Sequence, residues 1–165
     1  MTLEIIKHKD ILFRDIISAI EVKGVAWHYP VESHLKWIID NIQQEDMHVF
    51  LKENSEIKSY MTLSNVVGIL NSQKTNFMGV GCVCTMLPGE GMGGLLMSNI
   101  NQFLVEGDYK GLLFCKKHLV DFYKKYDWQL IPNDRVFSDI NTKDIFFMVY
   151  NCAEVKSLWY NDRLF

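Results

Sequence analysis

Hydrophobic and polar positions follow helical and strand-like periods in turn along this chain. A β-type run at residues 3–7 is followed by apolar residues at the spacing of one helix face, and Pro30 lies where a second such face begins. The two predicted faces carry Leu12, Phe13, Ile16, Ile17 and Ile20, and then Leu35, Ile38, Ile39 and Ile42. The chain is therefore predicted to open with a strand and two amphipathic helices.

Three β-rich runs come next and are separated by polar turns. Residues 47–52 and 57–70 are joined by a polar turn at 53–56, and a second turn at 71–75 leads into a third run at 76–85. Short connections of this kind join neighbouring antiparallel strands. The three runs are therefore predicted to form an antiparallel meander.

The second half of the chain alternates between helical and strand-like periods. A glycine-rich segment opens a helix, a short apolar run at 112–115 suits a buried strand, and a further helix precedes late strands at 128–131 and 145–150. The apolar faces of these two helices are Leu95, Leu96, Ile100, Phe103 and Leu104, and Leu119, Phe122, Tyr123 and Tyr126. This element order predicts a mixed α/β layer fold.

Composition restricts the classes of partner. The chain has 165 residues, 48% of them hydrophobic, which is enough for a single domain, 1–165, with a substantial core. Its 17 basic and 20 acidic side chains give a formal net charge of −3, which does not attract nucleic acid or an anionic membrane. The N-terminus lacks a signal-peptide pattern, and no apolar run reaches the roughly 18 residues of a membrane helix. A cytoplasmic protein without nucleic-acid or membrane partners is expected.

Four cysteines, Cys82, Cys84, Cys115 and Cys152, lie mostly within hydrophobic, strand-like runs. This placement is typical of small core residues in a reducing compartment. A metal site with Cys82, Cys84 and Cys115 as ligands is the alternative. The paired Cys-x-x-Cys spacing of structural zinc sites is absent, however, and we expect no metal.

The segment between the third strand of the meander and the following helix carries the strongest functional signal. Four glycines, Gly89, Gly91, Gly93 and Gly94, follow Pro88 and lead into the apolar helix face. Glycines allow bare backbone N–H groups to approach an anion at the positive end of a helix. We therefore expect a small-molecule ligand that carries phosphate to bind at this turn.

Two common phosphate-binding motifs do not fit the context of the turn. A P-loop closes with Gly-Lys-Ser/Thr, whereas this turn ends Gly93-Gly94-Leu95. A dinucleotide-binding turn lies in an early parallel βαβ unit, with an acidic residue at the end of the second strand. Here the turn follows an antiparallel meander, and the next strand ends in a cysteine and two lysines at 115–117. Nucleoside triphosphates and dinucleotides are therefore disfavoured as ligands.

Two signatures carry a resemblance to a known family. The helix start reads Pro-Gly-Glu-Gly-Met-Gly at residues 88–93, and the later helix reads Phe-Tyr-Lys-Lys-Tyr-Asp-Trp at residues 122–128. They are similar to the patterns Arg/Gln-x-x-Gly-x-Gly/Ala and Phe-Tyr-x-x-x-Gly-Phe/Trp of the GNAT superfamily of acetyl-coenzyme A-dependent N-acetyltransferases. The resemblance covers residues 1–150 and is strongest over 76–131.

The resemblance implies a fold, a cosubstrate and a set of site residues. The fold is α/β, with a mostly antiparallel central sheet, a splayed parallel strand pair and flanking helices. Acetyl-coenzyme A is the cosubstrate, no metal takes part, and the pantetheine amides pair with the backbone of Cys82, Val83 and Cys84. In this family the position of Tyr123 often carries the general acid that protonates the departing thiolate. The remaining coenzyme contacts that the resemblance implies are Gly89, Glu90, Gly91, Met92, Gly93, Gly94 and His118.

Several residues depart from the family pattern. Pro88 replaces a basic or amide side chain and has no backbone N–H, and Glu90 would repel phosphate if it pointed inward. Both changes favour a reduced affinity for the coenzyme, and Lys116 and Lys117 are candidates to compensate for them. Asp127 replaces the usual glycine of the second signature, and aspartate tolerates a left-handed backbone better than most residues.

The acceptor side of the site is less clearly marked in the sequence. The strand before the turn carries no carboxylate to act as a general base. The remaining candidates are an ordered-water relay and the side chains of His28, Glu32, His34 and His48. Each of these four side chains also suits a surface position. The two N-terminal helices and the segment 60–65 are expected to form the acceptor wall. Its aromatic candidates, which are also ordinary core residues, are Trp27, His28, Tyr29 and Tyr60.

Two functions from different classes follow. The first is an enzyme that transfers an acetyl or similar short acyl group from acetyl-coenzyme A to a primary amine on a small molecule or a peptide. The alternative is an acyl-coenzyme A-binding module that senses or scaffolds without turnover, which Pro88, Glu90 and the missing base favour. Trp159 and Tyr160 suit either a homodimer interface or a cover for the sheet.

Overall fold

The computed structural model describes residues 1–165 and contains four α-helices and nine β-strands. The helices are Phe13–Ala26 (α1), Val31–Asn41 (α2), Met92–Glu106 (α3) and Val120–Lys124 (α4). The strands are Thr2–Lys7 (β1), Met47–Glu53 (β2), Glu56–Leu70 (β3), Gln73–Thr85 (β4), Lys110–Cys115 (β5), Gln129–Leu130 (β6), Val136–Phe137 (β7), Phe146–Tyr150 (β8) and Leu158–Trp159 (β9).

The strands pair in the order β1-β2-β3-β4-β5-β8-β6, and β9 pairs with β3 and β7 beside this path. The β1–β2, β2–β3, β5–β8 and β6–β8 pairs are antiparallel, whereas β4 and β5 run parallel over residues 77–80 and 110–113. The short strands β7 and β9 form a second parallel contact. The predicted fold class, a mixed and mostly antiparallel sheet with flanking helices, is confirmed.

Two tight turns build the predicted meander. Asn54 and Ser55 have φ values of 49° and 69°, and Asn71 and Ser72 have values of 49° and 68°. Two consecutive residues with positive φ are typical of the type I′ turn, which joins two strands across two residues. The second turn is therefore shorter than the predicted 71–75.

The chain divides into two compact units. The first comprises Met1–Ser64, Gly81–Asn99 and Phe165, and the second comprises Asn65–Val80 and Ile100–Leu164. Strands β3 and β4 and helix α3 contribute residues to both units. The expectation of a single domain, 1–165, stays a prediction.

The N-terminal helices build the core of the first unit. Phe13 and Ile39, predicted on the packed faces, are 69% and 67% exposed. Ile39 follows the buried Ile38, and because consecutive helical residues point about 100° apart, only one of the two faces the core. The two buried clusters are Ala19, Val22, Phe50, Tyr60 and Cys84, and Ile16, Ile20, Ile38 and Ile42.

In the second unit, Asn101 connects α3 to the segment after α4. Its Nδ2 donates to the backbone carbonyl of Tyr126 over 2.7 Å, and its Oδ1 accepts from Nε1 of Trp128 over 2.9 Å. Trp128 is only 1% exposed, so water cannot replace this partner of its indole N–H. The bridge fixes the turn that ends the second signature against the second half of α3.

Candidate functional site

Strand β4 continues past the point where its pairing with β5 ends. The last parallel partners are Val80 and Leu113, whereas β4 extends to Thr85, as expected of a splayed pair. Cys82 then has a φ of 52°, in the left-handed region that residues with a side chain rarely adopt. Strained backbone of this kind is concentrated at ligand sites. The conformation suits the expected contact of 82–84 with pantetheine, which stays a prediction.

The glycine turn presents open backbone before a long helix. Gly89 and Gly91 have φ values of 91° and 79°, and a Cβ added to either would meet no atom within 4 Å. Backbone conformation, and not crowding, therefore requires glycine at both positions. The turn residues 89–91 are exposed, so they are accessible to a ligand.

Helix α3 begins at Met92 directly after this turn. Its first helical hydrogen bond runs from the N–H of Leu95 to the carbonyl of Gly91 over 3.0 Å, which leaves the N–H groups of residues 92–94 without an intrahelical acceptor. The first turn of α3 contains no acidic residue. The positive end of the helix is thus not neutralised by its own side chains and suits an anion.

Glu90 stands in the turn with an exposed side chain. A hydrogen bond to Glu56 raises the pKa of Lys58, and the nearby charges of Glu53 and Glu90 raise it further. Glu90 therefore lies within electrostatic range of a lysine, which partly offsets its charge beside the turn.

All four cysteines are free, with Cys84 and Cys115 buried and Cys82 and Cys152 partly buried. Burial raises the pKa of every one of these thiols, to about 11 for Cys115 and for Cys152. They are therefore protonated at neutral pH, as expected of packing residues. No group of three or more His, Cys, Asp or Glu side chains is arranged to hold a metal ion.

Gly81 lies where the last residue of the chain passes close to β4. A Cβ on Gly81 would come within 2.7 Å of the carbonyl carbon of Phe165 and within 3.0 Å of Oγ1 of Thr62. Only glycine fits this contact without movement of a neighbour. The close approach is one residue before the left-handed Cys82.

The second signature lies in the second unit, on the short helix α4 and the turn after it. Tyr123 is 6% exposed, and its ring makes edge contacts with Phe122 and Trp128 at centroid distances of 5.1 and 6.5 Å. Asp127 has a φ of 63°, so the expected left-handed conformation is confirmed. His118 lies on an exposed single turn just before α4. The catalytic role of Tyr123 and the coenzyme contact of His118 stay predictions.

The first unit contains a buried polar chain that sequence reasoning missed. His48 and Tyr60 are both fully buried, so neither the expected surface position of His48 nor a place for Tyr60 on an open wall is found. Nδ1 of His48 lies 2.7 Å from the Tyr60 hydroxyl oxygen, and Nε2 of His48 lies 2.9 Å from Nδ1 of His8. The available signal was topological, since β2 is an inner strand of the sheet, and both of its faces are covered, with residues 48–51 all buried.

Burial first, and then the charges of His8 and Lys23, lower the pKa of His48 to about 4 against the opposing effect of Asp46. Burial also lowers the pKa of His8, again with Asp46 opposing. Both imidazoles are therefore neutral at neutral pH. Each then carries one N–H donor and one acceptor nitrogen.

Lys23 of α1 is 4% exposed and belongs to the same region. Its Nζ donates to Sγ of Cys82 at 3.6 Å and lies 3.9 Å from the centroid of the Trp37 ring. It forms no ion pair with an acidic side chain. A buried cation thus faces the left-handed residue of β4.

The other candidate bases lie elsewhere in the first unit. His34 is buried, contrary to the expected surface position, and its Nε2 lies 3.0 Å from the carbonyl oxygen of Trp27. It therefore ties the connection between α1 and α2. His28 and Glu32 are exposed, as is Tyr29 at the same connection.

The first unit thus brings together the segment 82–84, the glycine turn and the buried polar chain. Tyr123 and His118 belong to the second unit.

None of the helices has the length and apolar character needed to span a membrane.

No protein-family model and no curated protein matches the sequence. Solved structures, however, match the fold. An aminoglycoside 6′-N-acetyltransferase from Enterococcus faecium is similar with a TM-score of 0.66 at 10% identity, over 93% of this chain and 99% of that one. An acyl-CoA N-acyltransferase from Pseudomonas aeruginosa is similar with a TM-score of 0.62 at 13% identity, over 91% and 99% of the two chains.

A third similar structure is the Bacillus subtilis N-acetyltransferase YlbP in complex with coenzyme A. It has a TM-score of 0.58 at 14% identity, over 90% of this chain and 96% of that one. At these identities the likeness establishes the fold. The chain has the GNAT fold, and the resemblance carried by its two signatures is confirmed at that level.

Proposed function

We propose that this protein transfers an acetyl, or similar short acyl, group from acetyl-coenzyme A to a primary amine in a ternary complex. The proposal rests on three features that follow one another along the chain. Cys82 of β4 is left-handed, the turn at Gly89 and Gly91 is open, and the first turn of α3 has no acidic residue to neutralise the positive end of the helix. Proteins with this fold include acyl- and acetyltransferases, one of them solved with coenzyme A. The proposal therefore joins a local geometry to a fold in which that chemistry occurs.

The proposal assigns most of the coenzyme contacts to the first unit. The pantetheine amides pair with the backbone of 82–84, and the pyrophosphate accepts hydrogen bonds from N–H groups of 89–94 at the positive end of α3. Pro88 contributes no N–H there. His118 is a further donor to the coenzyme. Because the contacts are mainly to backbone, the missing basic side chain weakens binding without abolishing it.

The reaction needs few protein groups. A neutral amine nitrogen attacks the thioester carbonyl carbon, and a C–N bond forms as the carbonyl electron pair moves onto oxygen. A backbone N–H of β4 donates to that oxyanion. Collapse of the intermediate breaks the C–S bond, nitrogen releases a proton to water, and the Tyr123 hydroxyl supplies a proton to the departing thiolate.

A tyrosine pair tests this assignment. Removing the hydroxyl in Tyr123→Phe is expected to lower kcat by about 100-fold, which is typical of a lost general acid, while the dissociation constant for coenzyme A stays the same. Tyr109→Phe is the matched control, because Tyr109 is 42% exposed and lies outside the proposed site. Unchanged turnover in Tyr123→Phe would assign the acid elsewhere.

A coenzyme-binding module without turnover is the second candidate. It is favoured by Pro88 and by the exposed Glu90, which make the turn a weaker phosphate site than the family pattern. Thiol release from acetyl-coenzyme A over a panel of aminoglycosides, polyamines, amino acids and peptides separates the two functions. A thermal shift with coenzyme A but no thiol release on any amine would favour the module.

A further inference from the structure

Three side chains of the first unit form a continuous hydrogen-bonded chain. The Tyr60 hydroxyl oxygen lies 2.7 Å from Nδ1 of His48, and Nε2 of His48 lies 2.9 Å from Nδ1 of His8. Tyr60 and His48 are fully buried, whereas His8, just after β1, is partly exposed. The chain therefore runs from the interior of the unit to its surface.

The inner end of this chain lies beside the strained segment of β4. Tyr60 belongs to one cluster with Cys84, Cys82 packs against that cluster, and Sγ of Cys84 donates to the backbone carbonyl of Tyr60 at 3.7 Å. The Cys82 and Cys84 thiols lie close enough to the Tyr60 hydroxyl to raise its pKa further, beyond the effect of burial. Cys82 is the left-handed residue, and it is partly exposed. The chain thus connects the strand segment to which the pantetheine arm is assigned with the solvent.

The donors and acceptors of the chain can all point the same way. If Tyr60 donates to Nδ1 of His48, then Nε2 of His48 carries the hydrogen and donates to Nδ1 of His8, whose own hydrogen is on Nε2. Every hydrogen then points outward. The opposite set of tautomers satisfies the same two contacts with every hydrogen pointing inward.

The surroundings keep the two imidazoles neutral, which this exchange of tautomers requires. The pKa of His48 is about 4, chiefly because of burial and then because of the charges of His8 and Lys23. Burial likewise raises the pKa of Tyr60. The titratable groups that face the chain are Lys23 from α1, Cys82 and Cys84 from β4, and Asp46 from the connection before β2.

We propose that Tyr60, His48 and His8 conduct protons between the acyl-transfer site and solvent, an inference that rests on the proposed function. A water molecule takes the proton lost by the attacking nitrogen and passes one to the buried Tyr60 oxygen as the Tyr60 hydroxyl proton moves to Nδ1 of His48. The Nε2 proton of His48 then moves to Nδ1 of His8, and His8 releases its Nε2 proton to water. One proton enters and one leaves, and no bond between heavier atoms changes.

After one proton has moved outward along the chain, every hydrogen of the three side chains points inward. One proton that moves inward, from solvent to the site, restores the first arrangement. Transfer from a thioester to a neutral amine releases no net proton, because nitrogen loses one proton and sulfur gains one. The inward step returns one proton from solvent to the site, which balances the proton that sulfur gains. Each arrangement of the chain is therefore used once in every turnover.

A network that only stabilises the core would show the same hydrogen bonds, so the test needs a readout besides stability. Glutamine at position 48 keeps one donor and one acceptor but cannot exchange a proton between two ring nitrogens. His48→Gln is therefore expected to lower kcat roughly tenfold or more and to flatten its pH profile, with little change in KM. Tyr60→Phe is expected to do the same, and Tyr109→Phe is the control.

The partly exposed His8 allows a second test in a variant that retains the core. His8→Ala opens the outer end of the chain, and added imidazole and methylimidazoles are expected to restore kcat in the order of their pKa values. If His8 only fills space, the added bases would restore kcat without following the order of their pKa values. If His48→Gln does not fold, the His8→Ala series decides alone.

The experiments distinguish a failure of the proton path from a failure of the proposed acetyl transfer. A folded His48→Gln enzyme with the wild-type kcat and pH profile, or a His8→Ala enzyme whose kcat does not follow the pKa of the added base, would overturn the proton path and leave acetyl transfer intact. A wild-type protein that acetylates no amine of the panel would overturn the proposed function, and the proton path with it.

Discussion

The hydroxyl oxygen of Tyr60 lies 2.7 Å from Nδ1 of His48, and both side chains are fully buried. The pair accommodates a neutral imidazole but not a charged one, because the pKa of His48 falls from 6.5 to about 4 on burial. A folded state that excludes a proton is weakened wherever the unfolded chain binds that proton. This relationship therefore has a consequence for stability as well as for proton transfer.

The free energy of unfolding is expected to fall as the pH is lowered from 6.5 to about 4. Below 6.5 the unfolded His48 binds a proton that the folded protein does not, so the full contribution is present above 6.5 and about 3 kcal/mol is lost by pH 4. Urea unfolding at successive pH values measures this loss. His48→Gln should show a shallower decline, and parallel curves for the two proteins would contradict the assignment.

Replacing Lys23 with methionine is expected to stabilise the fold. Lys23 is 4% exposed, and its ammonium has a thiol and an indole ring as partners but no acid, so the cost of removing the charge from water is only partly offset. Methionine fills a similar volume without the charge, and the gain in unfolding free energy is expected to be about 1 kcal/mol or more. Urea unfolding checks the sign, and a loss of that size would show that Lys23 stabilises its site.

Two glycines of the first unit should respond to alanine in opposite directions. A Cβ on Gly81 would meet the Phe165 carbonyl carbon at 2.7 Å, so Gly81→Ala is expected to lower stability by about 1–3 kcal/mol. Gly24 lies inside α1 with nothing within 4 Å of its Cβ position, so Gly24→Ala is expected to raise stability by about 0.5–1 kcal/mol. Chemical unfolding of both variants tests the pair, and effects of equal sign would contradict the described packing.

The Asn101 bridge predicts a difference between two asparagines of α3. Asn101→Ala leaves the indole N–H of Trp128 and the carbonyl of Tyr126 without their partner and should lower stability by about 1–3 kcal/mol. Asn99 bonds only within the helix, to the carbonyl of Leu95, and serves as the control. Comparable losses in Asn99→Ala and Asn101→Ala would mean that helix propensity, and not the bridge, sets the effect.

Strong local periods explain which parts of the fold the sequence predicts. The long strands β2 to β4 and the helix after the glycine turn were predicted because alternation and helical spacing extend over many residues. The strands β7 and β9 were missed, since two residues have no period. Ile39 shows the limit on helix faces, because a neighbour of a core residue can itself be apolar and exposed.

The sequence likewise predicts some parts of the candidate site and misses others. The glycines of the turn were predicted as functional from their type and context, and that role stays a prediction. The positive φ of Gly89 and Gly91 shows that the turn needs glycine at both positions. The buried chain through His48 was missed, because its members are brought together by strand pairing across distant parts of the sequence. The left-handed backbone of Cys82 could not be predicted either, since a cysteine gives no local signal for a positive φ.

Product analysis with purified protein, acetyl-coenzyme A and the amine panel tests the proposed acetyl transfer most directly. Mass spectrometry measures the acetylated amine while a thiol reagent measures free coenzyme A in the same reaction. The proposed function predicts that both products form in equal amounts with at least one primary amine, at a rate that depends on the concentration of protein. Binding of coenzyme A without either product on every amine tested would contradict acetyl transfer by this protein.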